Sequence, residues 1–311
     1  MTPSMKTLLG AAGAVSAMMV APAWAVDWAG VPGKDVTLFY PGQSSWEWVM
    51  TATDHSGATK FKGGKNCFEC HNGDEKDFGT ELSSGKKNEP TPIAGKPGSI
   101  VANVKVAHDA DKMYVHLEFA EGTQPDAKMD AKYATKVTVM LSDGKAANAN
   151  RAGCWIACHE DSTKMAGGAD ATRTKYLGAS RAKQSRQGSG DELKPAADLA
   201  KMKADGQYLE YWQALLNPGA PAVASAFTVL DKREDATPNA VAAEASFANG
   251  KWSVTLSRKL KAGAPYQDIV AGAPFTIGFA VHSGHASGRF HYLSFERTLA
   301  VDSGTAEFIA K

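Results

Sequence analysis

The sequence has almost no net charge, since its 34 lysines and arginines are balanced by 33 aspartates and glutamates. A bulk positive charge that would attract nucleic acid or an anionic membrane surface is therefore excluded. After residue 25, no segment offers the roughly 20 continuous apolar residues that a membrane-spanning helix needs. No internal repeat is visible either, which argues against a chain assembled from duplicated small domains.

The first 25 residues have the features of a signal peptide. A short basic start precedes an apolar stretch from Leu8 to Val20, and Ala23-Trp-Ala25 has the small-x-small pattern of a cleavage site. The alternative is a membrane anchor, but the apolar stretch is too short to span a bilayer. We expect cleavage after Ala25, export to the periplasm, and a mature chain of residues 26–311 that forms a single domain without a membrane span.

The cysteines number four in all and form two close pairs, each followed at once by a histidine. The first motif reads Cys-Phe-Glu-Cys-His, which is the signature of covalent haem attachment. The second reads Cys-Trp-Ile-Ala-Cys-His and has one additional residue between its cysteines. The residues of the two motifs are Cys67, Cys70, His71, Cys154, Cys158 and His159. The sequence therefore predicts two haems c.

The spacing within each motif follows from the chemistry of attachment. Two thiols add to the two vinyl groups on one edge of a porphyrin, so both must rise from the same face of a short turn. Helical positions three and four apart satisfy this condition. The adjacent histidine, His71 or His159, then lies under the iron as its proximal ligand. The longer second motif requires a displaced or bulged turn.

Three other uses of the cysteines are open. Exported cysteine pairs often form disulfides, but pairs this close would form small, strained rings. A zinc site of four thiolates would leave the two adjacent histidines unexplained. A thioredoxin-like redox pair needs only one motif and an alternation of strands and helices, which this sequence lacks.

Outside the two motifs the sequence predicts mostly short alternating strands. Asn249-Gly250 lies between two of them and is a strong hairpin signal, because both turn positions accept positive φ. This pattern predicts an antiparallel β-sandwich of immunoglobulin-like or DOMON-like type. The predicted strands are Asp35–Tyr40, Ile100–Ala107, Met113–Phe119, Thr135–Leu141, Val241–Phe247, Trp252–Ser257, Phe275–Val281 and Phe290–Leu299.

A partly helical insertion over about residues 143–238 interrupts the strands and carries the second motif. It contains a polar run over 180–191, followed by an amphipathic pattern that predicts a helix with one apolar face. The residues of that face are Tyr208, Leu209, Tyr211, Trp212, Leu215 and Leu216. The first motif lies in a second connection, over 57–98, rich in Gly, Lys and Asn. Both haems are thus expected on loops of one rigid scaffold.

Each iron needs a sixth ligand or an open position. A histidine or methionine there makes an electron-transfer centre, whereas an open position allows substrate to bind. We favour His55, which precedes the first motif, and His291, which has aromatic neighbours. His282 and His116 are weaker candidates, and methionine ligation is an alternative. His108 is expected in the Ala-His-Asp turn, and His282 and His285 lie on either side of a Ser-Gly turn.

Five segments carry a family resemblance, namely Val104-Lys-Val-Ala-His-Asp109, Met113–Phe119, Gly250–Leu260, Phe275–His282 and Arg289–Ser294. They resemble the haem-binding domain in the gamma subunits of ethylbenzene dehydrogenase and related dimethyl-sulfide dehydrogenase-type molybdenum enzymes. That resemblance implies a β-sandwich that passes electrons through one b-type haem with methionine and lysine ligands. His291 lies where the lysine is expected, which supports it as a ligand. The two covalent motifs depart from that family and indicate a c-type branch.

The function expected from these features is electron transfer, either by a soluble carrier or by a subunit of a respiratory oxidoreductase. A molybdenum oxidoreductase or another cytochrome is the expected partner. One alternative is an enzyme, such as a peroxidase or a reductase of a small oxyanion, with an open iron and a distal acid or base. The other alternative is a haem-based sensor. The site, and not the fold, must decide among them.

Overall fold

The computed structural model describes residues 26–44, 46–159, 175–183, 192–236 and 240–311. At Cys158 and His159 it describes the backbone alone. The predicted signal peptide lies outside the described residues. Within the described ranges, no helix has the length and apolar character needed to cross a membrane.

Strands dominate the chain, as the alternating pattern predicts. The strands are β1 (Lys34–Phe39), β2 (Ser99–His108), β3 (Lys112–Ala120), β4 (Thr135–Ser142), β5 (Ala157–His159), β6 (Lys175–Leu177), β7 (Leu209–Leu216), β8 (Val223–Val229), β9 (Arg233–Asp235), β10 (Val241–Ala248), β11 (Lys251–Lys259), β12 (Phe275–His282), β13 (Tyr292–Leu293), β14 (Arg297–Val301) and β15 (Phe308–Ala310).

The helices are short and lie in the connections between strands. They are α1 (Trp46–Val49), α2 (Ala58–Lys62), α3 (Cys67–His71), α4 (Glu75–Ser83), α5 (Ala149–Ala152) and α6 (Ala196–Ala204). The first four follow β1, so the connection from β1 to β2 holds the predicted attachment motif Cys67–His71. Helix α5 introduces the second motif, in the connection that follows β4.

Most strands join one sheet in the order β10-β11-β3-β2-β1-β13-β12-β4-β7-β8-β9. All neighbours along this path are antiparallel. Strand β14 pairs with β12 and, in parallel, with β15. Strands β5 and β6 form a separate two-stranded sheet.

The large sheet curls so that strand β10 contacts β7 and β8, which lie near the other end of the path. The two layers enclose a common core, to which β3 contributes Leu117, β11 contributes Leu256, and β7 contributes Trp212. Apolar side chains alternate along each half-buried strand, so one face of every layer is removed from water. The predicted antiparallel β-sandwich is confirmed.

The hairpin at Asn249-Gly250 is also confirmed. Strands β10 and β11 pair in register from Val241 with Arg258 to Ala248 with Lys251. The two turn residues have φ values of +52° and +76°. Only a residue that tolerates the left-handed region fits there, which is why the Asn-Gly pair was informative.

The helix predicted over Tyr208–Leu216 is wrong. Residues Leu209–Leu216 form β7, which pairs with β4 on one side and β8 on the other. Almost every residue of β7 is buried, because this strand is covered on both faces. A strand covered on both faces has a continuous apolar run, and such a run also fits helical spacing. The connection between β4 and β7 therefore covers residues 143–208.

The strand predicted over Phe290–Leu299 is divided in two. Tyr292–Leu293 pairs with β1 and β12, whereas Arg297–Val301 pairs with β12 and β15. His291 consequently precedes a strand instead of lying inside one. Between the two strands, Glu296 leaves the ladder and turns toward the first attachment motif.

Candidate haem sites

The first attachment motif forms helix α3, as its spacing predicts. The side chain of Asn66 accepts a hydrogen bond from the backbone N–H of Glu69 at 2.6 Å, which caps the helix start. Cys67 and Cys70 lie three positions apart and so share one face. Cys67 is half-buried, Cys70 is exposed, and neither thiol is in a disulfide.

His55 and His71 lie next to each other beside this helix. Their ring centroids lie 6.0 Å apart, and the ring planes are inclined by 41°. A metal–imidazole nitrogen distance of about 2 Å on each side, plus the offset from nitrogen to ring centre, gives a centroid separation of about 6 Å. The two rings therefore have the spacing of a pair that holds one iron between them.

Both rings are oriented through the same nitrogen. Nδ1 of His71 lies 3.2 Å from the Asp74 carboxylate, and Nδ1 of His55 lies 2.9 Å from the backbone oxygen of Val49. If Nδ1–H donates in each case, the tautomer carries its lone pair on Nε2. Donation to a carboxylate or a carbonyl is the usual way in which a protein orients an imidazole that binds metal.

The rings lie in an apolar cleft of about 340 Å³. Phe78 and Phe295 pack on His71, with ring centroids 5.0 and 5.9 Å away, and Trp48 packs on His55 at 5.3 Å. Aromatic walls of this kind suit the flat, apolar surface of a porphyrin. The donor pair, the adjacent thiols and the walls all fit a covalently attached haem.

Glu296 ties the first motif to the sandwich. Its Oε1 accepts a hydrogen bond from the backbone N–H of Phe68 at 2.9 Å, and the guanidinium of Arg297 stacks on the Phe68 ring at 3.7 Å. Burial raises the pKa of Glu296 to about 7. Burial also raises the pKa of the Cys67 thiol well above its ordinary value, with the neighbouring Glu296 adding to the effect.

The second motif has a different backbone from the first. Cys154 lies on a 3₁₀ turn, Gly153–Ile156, and the chain then extends into β5, where Cys158 pairs with Tyr176. The displaced turn predicted for the longer spacing is thus a 3₁₀ turn followed by a strand. The side chains of Cys158 and His159 lie outside the described part of the chain.

Two glycines allow this turn to pack closely on the sandwich. Gly153 has φ of +51°, and a Cβ there would lie 3.1 Å from the Cβ of Glu296. A Cβ on Gly278, in β12, would lie 3.3 Å from the Cys154 sulfur and 3.3 Å from the terminal carbon of Met140. Glycine at these positions therefore brings the Cys154 thiol against the sheet.

Cys154 opens onto a second cleft of about 390 Å³, which also contains His282 and His291. The two imidazole centroids lie 4.8 Å apart. Nδ1 of His291 and Nε2 of His282 both lie against the backbone oxygen of Gly288, at 2.9 and 3.0 Å. The Gly288 carbonyl thus holds His291 through Nδ1, the nitrogen nearer the backbone, and His282 through Nε2, the nitrogen farther from it.

His291 is deeply buried, and this burial lowers its pKa to about 3, with the charge of Lys175 as a second cause. The imidazole is therefore neutral throughout the physiological range. A neutral imidazole whose Nδ1–H donates to a carbonyl keeps a lone pair on Nε2, which is the form that binds iron.

The second cleft is lined by several cations, in contrast with the first. Those in its wall are Lys136, Lys175, Arg233 and Arg289. Burial lowers the pKa of Lys175 to about 8, and its ammonium lies 4.0 Å above the Tyr211 ring. The indole Nε1 of Trp155 is also buried, and no described residue accepts a hydrogen bond from it. This donor set fits the carboxylates that a haem carries on one edge.

His116 is not brought to either cleft. It lies on β3, with Nδ1 2.9 Å from the Thr255 hydroxyl, and its ring stacks on Trp28 at 4.6 Å. Burial lowers the pKa of His116. It has a structural role in the sheet. Sequence reasoning missed Glu296 and Lys175, because their contacts with the motifs join residues that are far apart in the chain.

Comparison with known proteins assigns the chain to a family. Residues 220–294 match the family model described as ethylbenzene dehydrogenase. Cytochrome c-552 from Stutzerimonas stutzeri is 34% identical over 309 residues, which cover 96% of each chain. Cytochrome c-551 from Rhodocyclus tenuis is 29% identical over 286 residues, 91% of this chain and 98% of that one. A solved family 9 carbohydrate-binding module from Caldicellulosiruptor kristjanssonii overlaps slightly, with a TM-score of 0.30 and 10% identity over 63% of this chain and 66% of that one.

The resemblance noted from the strand segments is thereby confirmed. The matched region includes β8, β10, β11 and β12 and ends at Ser294, so it contains His282 and His291. The alignment with cytochrome c-552 covers 96% of this chain and so spans the positions of both motifs. The chain belongs to the family of electron-transfer c-type cytochromes that includes cytochrome c-552 and is related to the haem-binding subunit of ethylbenzene dehydrogenase.

Proposed function

We propose that this protein is a periplasmic cytochrome that carries two covalently attached haems and passes single electrons to and from a redox partner. The observation that carries the proposal is the 6.0 Å separation of the His55 and His71 rings beside the Cys67–His71 helix. The signal-peptide features of the first 25 residues support the periplasmic location.

His71 and His55 would hold the first iron. The bound haem supplies the one-electron chemistry, through the change of its iron between two oxidation states. The protein orients both imidazoles through Nδ1, and Phe78, Phe295 and Trp48 would pack against the bound group. An iron with two imidazole ligands has no position for a substrate, which favours electron transfer over catalysis.

His159 and His291 would hold the second iron, with His282 as the alternative to His291. His291 is preferred because the Gly288 carbonyl engages its Nδ1, whereas the same carbonyl engages Nε2 of His282. Nε2 is the nitrogen that projects farthest from the backbone and reaches a flat porphyrin most easily. His282 packs against the His291 ring and so helps to orient it.

The exposed edge of the first haem site is the proposed place of electron exchange with a partner. Cys70 is exposed, and the side chain of His71 is 27% exposed. His291, by contrast, is buried. A partner such as a molybdenum oxidoreductase or another cytochrome would therefore dock over helix α3, and the second haem would exchange electrons through the first.

The test is a reductive titration of the purified holoprotein with optical and electron paramagnetic resonance spectra. We expect uptake of two electrons per chain, low-spin spectra for both irons in the oxidised protein, and no binding of carbon monoxide in the reduced protein. A high-spin iron that binds carbon monoxide would contradict the proposal and favour an enzyme or a haem-based sensor. Uptake of only one electron per chain would contradict the proposed presence of a second haem.

A further inference from the structure

The two clefts share a wall. The side chain of Trp155 lines both the cleft of His55 and His71 and the cleft of His282 and His291. Trp155 follows Cys154 directly in the chain, so it is joined by one peptide bond to a proposed attachment point of the second haem. No other aromatic side chain in the described residues lines both clefts.

An aromatic cluster extends from Trp155 toward the first iron site. Phe295 and Trp155 have ring centroids 6.3 Å apart, and Phe39 lies 4.8 Å from Phe295 and 5.9 Å from Trp155. Phe295 in turn stacks on His71, with centroids 5.9 Å apart and planes inclined by 21°. A continuous series of ring contacts thus joins Cys154 and His71.

Such packing matters because electronic coupling falls steeply with distance and falls faster across a void than through packed atoms. A close-packed interior offers atoms in van der Waals contact along the whole route. Removing a large ring leaves a gap, and the atoms that line it lose their partners on one side. A tryptophan between two redox centres is therefore placed to affect the rate of transfer as well as stability.

We propose that Trp155, together with Phe295, is the relay through which an electron passes between the two haems. The proposal rests on the proposed function, since it requires a haem in each cleft. It adds to that function the direction in which electrons flow. Electrons from a partner would enter at the exposed His71 side and reach the buried second site by way of these two rings.

The experiment uses a His55→Ala background, which opens the first iron to carbon monoxide. The half-reduced, carbon monoxide-bound protein is flashed with light, and release of the ligand lets the electron leave the first iron for the second, oxidised one. Absorbance then follows this redistribution. Trp155→Leu and Trp155→Phe are each compared with the background, and the reduction potentials of both haems are measured so that the rates are compared at a known driving force.

Trp28→Leu is the matched control. Trp28 stacks on His116 and lines neither cleft. We expect Trp155→Leu to slow the redistribution several-fold, Trp155→Phe to retain most of the rate, and Trp28→Leu to leave it unchanged. If Trp155→Leu impairs attachment of the second haem, Phe295→Leu carries the test, because Phe295 lies outside both motifs.

The possible outcomes distinguish a failure of the proposed relay from a failure of the proposed function. A Trp155→Leu or Phe295→Leu protein with both haems attached, unchanged potentials and an unchanged rate would overturn the relay and leave the dihaem proposal standing. Absence of a second haem in the His55→Ala background, or failure of that variant to bind carbon monoxide, would instead contradict the proposed haem content or the proposed ligand of the first iron.

Discussion

The carboxylate of Glu296 accepts a hydrogen bond from the backbone N–H of Phe68, which lies 228 positions earlier in the chain. The same side chain packs against Gly153, at the start of the second attachment turn. Glu296 therefore contacts both haem-attachment segments from one point on the sandwich. A buried carboxyl in this position makes the stability of both segments depend on its protonation.

Glu296 should make the protein less stable as the pH rises from about 5 to 8. Its pKa is about 7 in the folded protein against 4.5 ordinarily, so the folded state binds the proton more tightly than the unfolded state. Stability then falls as pH rises through this window, by at most about 3 kcal/mol at 1.36 kcal/mol per pKa unit. Urea unfolding at several pH values measures this slope.

Glu296→Gln keeps the acceptor oxygen and removes the titration, so its unfolding free energy should vary less between pH 5 and 8. Glu192→Gln, which changes an exposed carboxylate, is the control and should keep the wild-type slope. Equal slopes in Glu296→Gln and the wild type would show that this carboxyl is not the group that titrates.

Loss of the His55 imidazole should leave the first iron with an open coordination position. His55→Ala removes the ring opposite His71 while the attachment cysteines remain. We expect one iron per chain to become high-spin and to bind carbon monoxide, with the haem still covalently attached. His116→Ala is the control, since His116 lines neither cleft. A His55→Ala protein with wild-type spectra would assign the sixth position to another residue.

His291 and His282 should differ in their effect on the second iron. His291→Ala removes the imidazole that the Gly288 carbonyl holds through Nδ1, so we expect a new high-spin signal from the second haem. His282→Ala should keep a low-spin spectrum and change it only slightly, because its ring supports His291. The reverse pattern in electron paramagnetic resonance spectra would make His282 the ligand.

The buried pair of Glu210 and Arg258 should be important for stability. Arg258 Nε lies 2.7 Å from the Glu210 carboxylate, and both side chains are fully buried. Arg258→Met leaves the carboxylate buried without its cation, which typically costs about 3–5 kcal/mol. Urea unfolding should detect this loss. The double variant Glu210→Gln/Arg258→Met should recover part of it, and a double variant no more stable than Arg258→Met would contradict this explanation.

The sequence was sufficient where a local pattern determined the outcome. Asn249-Gly250 predicted its hairpin because the turn itself requires positive φ, and Cys67–His71 predicted its helical turn because attachment requires that spacing. Leu209–Leu216 was misassigned because burial on both faces removes the alternation that identifies a strand. Its neighbours β4 and β8 decide its conformation, and pairing of this kind is not visible in the segment itself.

The residues of the candidate haem sites also fall into two groups, those that a local motif predicts and those that only the fold brings together. The attachment residues are predicted from two short motifs, whereas the proposed further ligands depend on distances between remote segments. His55 and His291 were selected on chemistry, and the structure places each in a cleft with a motif cysteine. His116 has the same chemistry and lies elsewhere. Trp155 and Phe295 became notable only when the fold brought them to a shared wall.

The count of haems that stay on the denatured polypeptide tests the central claim most directly. Acid-acetone removes haem that is not covalently bound, and the mass of the remaining protein gives the number attached. The account predicts two per chain, and one in each of the double variants Cys67→Ala/Cys70→Ala and Cys154→Ala/Cys158→Ala. A wild-type polypeptide that retains one haem or none would contradict it.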